Sequence, residues 1–377
     1  MSFTFLHTAD WQLGRAFKAF DPRIAPLLEE ARFDAIDRLA EAARQAGAAD
    51  VLVAGDAFDA PGLPSPVLIK ALERLKKHRD VRWHLLPGNH DHYRPSGLWQ
   101  RLSAQGLPGN VALHLEPKAA EIAPGVVLLP APLNARAETA DPTLWMDAAA
   151  TAQGALRIGL AHGSIKDFGS DGESAIRIDA GRARRAGLAY LALGDWHGKL
   201  RVDARTWYSG TPEPDRYPEN EPGFALAVRI EGPSAEPRVE PVPVARYTWV
   251  REAAAVASFA DVAAIEQRLA ARGIDFDRLV LRLVLTGSLP LAAHRDLDTW
   301  RERMAARVAS LEWLAGDVGV AAGAGDIAAL AVSGEVARAA TLLREIAADP
   351  ADARAQVATG ALARLAGLIA EAEREAS

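Results

Sequence analysis

The chain has 377 residues, 49% of them apolar and 24% charged, with no cysteine and a net charge of −6. That length exceeds what one hydrophobic core usually serves, and the missing cysteines exclude disulfides, thiolate metal sites and thiol catalysis. A field of negative sign does not attract nucleic acid, so a polyanionic substrate would need a local positive patch or bound cations.

The first half alternates short β-rich runs with helical stretches. Phe3–Ala9 reads as a strand, and Pro26–Gln45 as a helix ended by Gly47. Asp50–Ala54 is a second strand running into Gly55-Asp56. A helix over Ser65–His78 precedes a strand over Val81–Leu86, which leads into Pro87-Gly88-Asn89-His90. Val126–Leu129, Leu156–Ala161 and Leu188–Leu193 read as further strands. Phe224–Ile230 follows a loop, Thr211–Gly223, rich in Pro, Glu and Asp. Such alternation predicts a layered α/β domain over residues 1–232.

Gly232–Pro243 is Pro-rich and reads as a linker or edge segment. A small α+β unit is expected over 244–320, with a helix at Asp261–Ala271, a strand at Arg278–Leu285 and a helix at His294–Leu311. From Gly334 onward the pattern is helical, with Pro350 opening the last helix. Leu342, Leu343, Ile346, Leu362, Leu365 and Ile369 recur there at helical spacing. Residues 321–377 are therefore expected to form a C-terminal helical segment. No run approaches the ~20 apolar residues that span a bilayer, and Met1–Leu6 lacks a basic n-region and a cleavage site. No membrane is expected as a partner, and the expected location is the cytoplasm.

Five times a hydrophobic strand ends in ligand-type side chains: Asp10-Trp11-Gln12, Gly55-Asp56, Gly88-Asn89-His90-Asp91, His162-Gly163 and Asp195-Trp196-His197. Sites assemble at the carboxyl ends of strands in layered α/β folds, so clusters distant in sequence can meet there. Oxygen and imidazole donors without sulfur suit Mn²⁺, Mg²⁺ or Zn²⁺, with Mn²⁺ preferred. Glycines beside the ligands let backbone pass close to a metal or phosphate.

Asp10-x-Gln12, Gly55-Asp56-x-x-Asp59, Gly88-Asn89-His90-Asp91, His162-Gly163 and Gly194-Asp195-x-His197 resemble, in order and spacing, the five motifs of the calcineurin-like metallophosphoesterase superfamily. His7-Thr8-Ala9-Asp10-Trp11-Gln12-Leu13-Gly14 and Tyr208-Ser209-Gly210-Thr211-Pro212-Glu213 are similar to its SbcD-type DNA-repair nucleases. The likeness extends to bacterial members encoded beside DNA-repair helicases and ligases. The resemblance covers roughly residues 1–230. It implies a four-layer sandwich of two mixed β-sheets flanked by helices, with a smaller capping domain and C-terminal helices.

The resemblance further implies two divalent ions, the first held by Asp10, Gln12, Asp56 and His197, the second by Asp56, Asn89, His162 and Asp195. His90 would contact the phosphate and assist the leaving oxygen, and Asp91 would orient His90. Hydrolysis would use water activated between the ions, without a covalent enzyme intermediate. The family usually has His where Gln12 stands, and a first His where Asp195 stands. Gln is a neutral, weaker oxygen donor and Asp adds a negative charge that favours harder cations, a combination that tunes the site toward Mn²⁺ and away from Zn²⁺.

The implied activity is DNA cleavage in repair, on single strands or ends, as exonuclease or endonuclease. A repair helicase, a ligase or an SbcC-like ATPase is the implied partner. The alternatives are hydrolysis of small phosphodiesters or phosphoproteins, and a degenerate scaffold without catalysis. His92 and Tyr93 could line the groove, and Arg182, Arg184 and Arg185 could contact phosphates, as could Lys199, Arg201 and Arg205. His7 reads as a packed histidine. His78, His84, His114 and His294 read as ordinary surface or core residues, and Trp11 and Trp196 as packing.

Overall fold

A computed structural model describes residues 2–165, 176–217, 220–321 and 334–349, with parts of 351–368. Pro350 and Ile369, read above as part of the C-terminal helices, lie outside the described residues. Contacts divide the chain into two units, Met1–Tyr247 and Thr248–Ser377.

The first unit runs in chain order through β1 (Phe3–Thr8), α1 (Ala25–Gln45), β2 (Asp50–Val53), α2 (Ser65–Lys77), β3 (Arg82–Leu85), α3 (Leu98–Ala104) and β4 (Val111–Leu113). It continues through β5 (Ala120–Ala123), β6 (Val126–Ala131), β7 (Leu156–His162), β8 (Ser164–Ile165), β9 (Arg177–Ile178), α4 (Arg182–Arg185) and β10 (Tyr190–Gly194). β11 (Leu200–Arg201), β12 (Thr206–Tyr208), β13 (Phe224–Ile230) and β14 (Arg238–Pro243) complete it.

Two six-stranded mixed sheets result, ordered β14-β13-β1-β2-β3-β4 and β11-β12-β10-β7-β6-β5. In the first, β1, β2, β3 and β4 are parallel, while β13 runs antiparallel to β1 and β14 antiparallel to β13. In the second, β12, β10, β7 and β6 are parallel, with β11 and β5 antiparallel at the edges.

Alternation along each strand explains the layering. On β1, Phe5 joins Leu52, Leu128, Ile158, Leu160 and Ala192 in the core between the sheets. Leu6, its neighbour, faces the other way and packs with Ile36 and Leu39 of α1 and Leu68 and Leu72 of α2. A further core, with Met146, Ala183, Leu188 and Leu191, covers the outer face of the second sheet. The order is helix, sheet, sheet, helix, which is the expected α/β sandwich of two mixed sheets flanked by helices.

Arg32 of α1 ties two loops together from inside this unit. Its guanidinium is 1% exposed and donates to the carbonyls of Trp11, Gln12, Glu213 and Pro214 and faces Thr211 Oγ1 at 3.4 Å. The loop after β1 is thus bound to the loop after β12. Glu213 extends the network, accepting from Arg38 at 2.6 Å and from the backbone N–H groups of Arg246 and Tyr247.

The second unit comprises β15 (Thr248–Val256), α5 (Phe259–Ala271), β16 (Leu279–Pro290), α6 (Leu291–Arg307), β17 (Ser310–Ala321) and α7 (Glu335–Ala348). β15, β16 and β17 form one parallel sheet, each pair joined through a helix. Val262, Ile265 and Leu269 of α5 and Leu297, Trp300 and Met304 of α6 pack on its Leu281 and Leu283 side. The helix expected to reach Leu311 stops at Arg307, because Val308 turns extended and Leu311 and Trp313 join the strand packed on the sheet core.

Replacing Arg32 by Met leaves buried carbonyls without donors, and should destabilise the chain by roughly 3 kcal/mol or more. Urea unfolding of the variant against the parent measures this, and an unchanged midpoint would show that the network is dispensable.

Candidate metal centre

The five strand-terminal clusters converge at one edge of the sandwich. Asp10 follows β1, Asp56 follows β2 and Asn89 follows β3, while His162 ends β7 and Asp195 follows β10. Oxygens of Asp10 and Asp56 and a nitrogen of His162 lie within 4.8 Å of one another, all buried.

Unusual backbone puts them there. Asp10 (φ 55°), Gln12 (φ 45°), Asp56 (φ 52°) and Asp195 (φ 108°) are four of the five described non-glycine residues at positive φ. Such geometry costs roughly 1–3 kcal/mol each and gathers at functional sites. Backbone pairs hold it, with Asp10 N–H donating to the Gly55 carbonyl and Gln12 N–H to the Asp56 carbonyl. Glycines make the room. A Cβ on Gly88 would collide with Asp56 Oδ1 and its backbone nitrogen, and one on Gly194 with the Ala54 carbonyl.

Each imidazole is anchored by Nδ1 and turned inward by Nε2. His162 Nδ1–H donates to the Ala54 carbonyl at 2.8 Å, leaving Nε2 2.8 Å from Asn89 Oδ1 and 3.6 Å from Asp56 Oδ2. His197 Nδ1–H donates to Asp215 Oδ1 at 3.2 Å. Backbone N–H groups meet the carboxylates: His90 N–H donates to Asp56 Oδ1 at 2.9 Å, and Asp195 N–H to Asp10 Oδ2 at 3.2 Å. Ser164 Oγ–H donates to Asp195 Oδ2 at 2.5 Å.

Three buried carboxylates, Asp10, Asp56 and Asp195, share this space. Among the described residues only imidazole forms an ion pair with any of them, and no Lys or Arg does. Buried charge of this kind calls for a cation. The donor set therefore fits divalent metal: oxygens and two inward Nε2 atoms, with no sulfur.

Several expected roles fall elsewhere. Asp91 does not touch His90. Its two oxygens accept from Gly88 N–H at 2.6 Å and Phe58 N–H at 3.0 Å, and His90 Nδ1–H donates to the Asp59 carbonyl at 2.9 Å. Orientation of His90 comes from a backbone carbonyl, and Asp91 pins two loops. Gln12 turns its Oε1 to Arg15 Nη1, 2.9 Å away, and its Nε2 toward His197 Nε2, 3.3 Å away. His92 is buried and its Nδ1–H donates to the Asn89 carbonyl, so it braces the turn, while Tyr93 is partly buried against the first core.

The basic clusters are mostly committed to structure. Arg182 is buried against Asp141, Asp147 and Thr143, and Arg185 pairs with Asp179. Lys199 pairs with Glu221, Arg201 with Glu236, and Arg205 caps the carbonyls of Ala189 and Ser234. Exposed Arg184 is the one member with neither an ion pair nor a side-chain hydrogen bond among the described residues. His7 is fully buried between Tyr190 Oη and the Leu193 carbonyl. Trp11 packs edge-on against Trp83 in the core.

Sequence reading missed Arg15, Asp215 and Ser164. Asp215 Oδ1 accepts from His197 and its Oδ2 lies 3.3 Å from Arg15; that hydrogen bond, with the charges of Arg32 and Arg15, overcomes burial and holds its carboxyl well below the ordinary range. The acidic composition of Thr211–Gly223 was the one available signal.

Without a cation the cluster retains protons. Burial, helped by Asp56 and Asp195, outweighs the two imidazoles and moves Asp10 from 3.8 to about 7. Burial lowers His162, but Asp56, Asp10 and Asp195 outweigh it and move it from 6.5 to about 9. Both folded values are raised, so the stability they contribute is full below the unfolded values and disappears as pH rises through the folded ones. In chelator, the urea midpoint should fall between about pH 5 and 9, less steeply for Asp10→Asn. A profile equally steep in parent and variant would contradict this.

Residues 3–182 match the family model described as calcineurin-like phosphoesterase. Over those residues the chain is similar to the calcineurin-like phosphoesterases. The crystal structure of TT1561 of Thermus thermophilus is similar at 13% identity and a TM-score of 0.40, over 65% of this chain and 100% of its own. No curated protein matches.

Proposed function

We propose, from this superfamily match and the buried carboxylate–imidazole cluster, that the chain is a two-metal phosphodiesterase that cleaves DNA. The single observation that carries the hydrolytic part is the convergence of Asp10, Asp56 and His162 within 4.8 Å with no Lys or Arg ion-paired to their carboxylates among the described residues. The DNA part rests on the SbcD-like segments His7–Gly14 and Tyr208–Glu213. Both lie beside the cluster: Thr211 Oγ1 is bonded to the Asp10 carbonyl at 2.8 Å, and Tyr208 Oη–H donates to the Gly163 carbonyl.

Asp10, Asp56 and His197 would hold the first ion, and Asp56, Asn89, His162 and Asp195 the second, with Mn²⁺ favoured by the donor set. Divalent ions held there would supply Lewis acidity to activate a water and positive charge to offset that of the phosphate. The chain's own groups do the rest. Ala54 and Asp215 fix both imidazoles with Nε2 inward. Asn89 is held by His92 through its carbonyl. His90, partly exposed and fixed by the Asp59 carbonyl, keeps Nε2 available to a phosphate or leaving oxygen. The role in repair, with a helicase, ligase or ATPase partner, is the class of process that the same two segments favour.

Single-stranded and linear duplex DNA incubated with Mn²⁺ should be cleaved. His90→Ala should slow cleavage by about 10²–10⁴-fold with metal content retained, and Asp56→Ala should lose both metal and cleavage. DNA left intact with Mn²⁺, Mg²⁺ and Zn²⁺ alike would contradict the proposal.

A further inference from the structure

Arg15 stands at the rim of the cluster, its side chain 29% exposed. Its Nη1 lies 2.9 Å from Gln12 Oε1, 3.3 Å from Asp215 Oδ2 and 3.4 Å from Asp59 Oδ1. One guanidinium nitrogen therefore decides how the Gln12 amide is turned. Reversing the amide would set two N–H donors against each other at Arg15, so the hydrogen-bond network selects the orientation with Oε1 outward. What Gln12 then offers toward His197 is an NH₂ group, 3.3 Å from Nε2. An amide NH₂ donates hydrogen and does not ligate a cation.

The same guanidinium reaches the other side of the first-ion position. Asp215 Oδ1 accepts from His197 Nδ1–H, while Asp215 Oδ2 faces Arg15. A carboxylate behind a ligating histidine raises its basicity. A cation on that carboxylate works against the gain. Asn89, His162 and Asp195, assigned to the second ion, make no hydrogen bond or ion pair with Arg15 among the described residues.

We infer that Arg15 is a positioning residue that keeps the Gln12 oxygen out of the first ion's ligand shell and makes that ion the more weakly held of the two. This rests on the two-metal reading above. It assigns Gln12 a conditional role: its oxygen reaches the ion only when the guanidinium is gone.

The test is a calorimetric Mn²⁺ titration of the full metal-stripped chain, with Gln12→Ala, Arg15→Met and the double variant. The parent should show two sites of unequal affinity. Arg15→Met should tighten the weaker site about 10-fold or more, and Arg15→Gln should do the same, with thermal unfolding reporting that each variant is folded. Gln12→Ala should change the parent little yet erase the gain in the Arg15→Met background, so the two substitutions are not additive. Equal weakening by Gln12→Ala in both backgrounds would overturn the inference, since Gln12 would then ligate beside Arg15. So would an unchanged or weaker site in folded Arg15→Met. Two ions bound with no effect of Arg15 would sink this inference alone, whereas a parent that binds no Mn²⁺ would sink the two-metal reading with it.

Discussion

Like charges forced together in a dry place are the constraint on which the rest of this molecule turns. Asp10, Asp56 and Asp195 are at most 4% exposed and lie around His162 without an arginine or lysine counterion among the described residues. Left to themselves, such carboxylates separate or take up protons. The chain prevents separation with backbone rather than side-chain chemistry. Parallel strands from two sheets end at one edge, and the residues just beyond them are bent to positive φ and paired through Asp10–Gly55 and Gln12–Asp56 hydrogen bonds. Protonation is the fallback that remains, and a bound cation removes the need for it.

The strain is spread over a rigid surround. Phe5, Leu52, Leu128, Ile158 and Leu160 fill the space between the sheets, so strand ends cannot drift without opening a cavity. Arg32 and Glu213 lock the loops on one side, and Asp91 locks Gly88 to Phe58 on the other. His7, neutral because burial lowers it to about 3, stitches β1 to β10 across the interior. The geometry of the carboxylate–imidazole cluster is thus inherited from the sandwich, while the histidines gain their direction from Ala54 and Asp215.

The layered α/β class was legible because each strand is a short apolar run and each run ends in a polar cluster. The convergence of Asp10, Asp56, Asn89, His162 and Asp195 followed from strand ends sharing an edge. What stayed hidden depends on which atom of a side chain faces which neighbour. Asp91 follows His90 in sequence, yet its oxygens point to Gly88 and Phe58; adjacency along a chain does not fix direction in a tight turn. Asp215 and Arg15 reach the site from segments 200 residues apart, and only the folded loop brings them together. β15 and β17 were obscured by alanine and glycine, whose small side chains leave weak alternation in Ala253-Ala254-Ala255 and Ala315-Gly316.

The central claim is that Asp56 sits between a pair of divalent ions. Crystals equilibrated with Mn²⁺ and measured at the manganese absorption edge test it most directly. Two anomalous peaks about 3.5–4 Å apart, both within bonding distance of the Asp56 carboxylate, are the predicted result. Peaks remote from Asp56, or a single peak at saturating Mn²⁺, would contradict it.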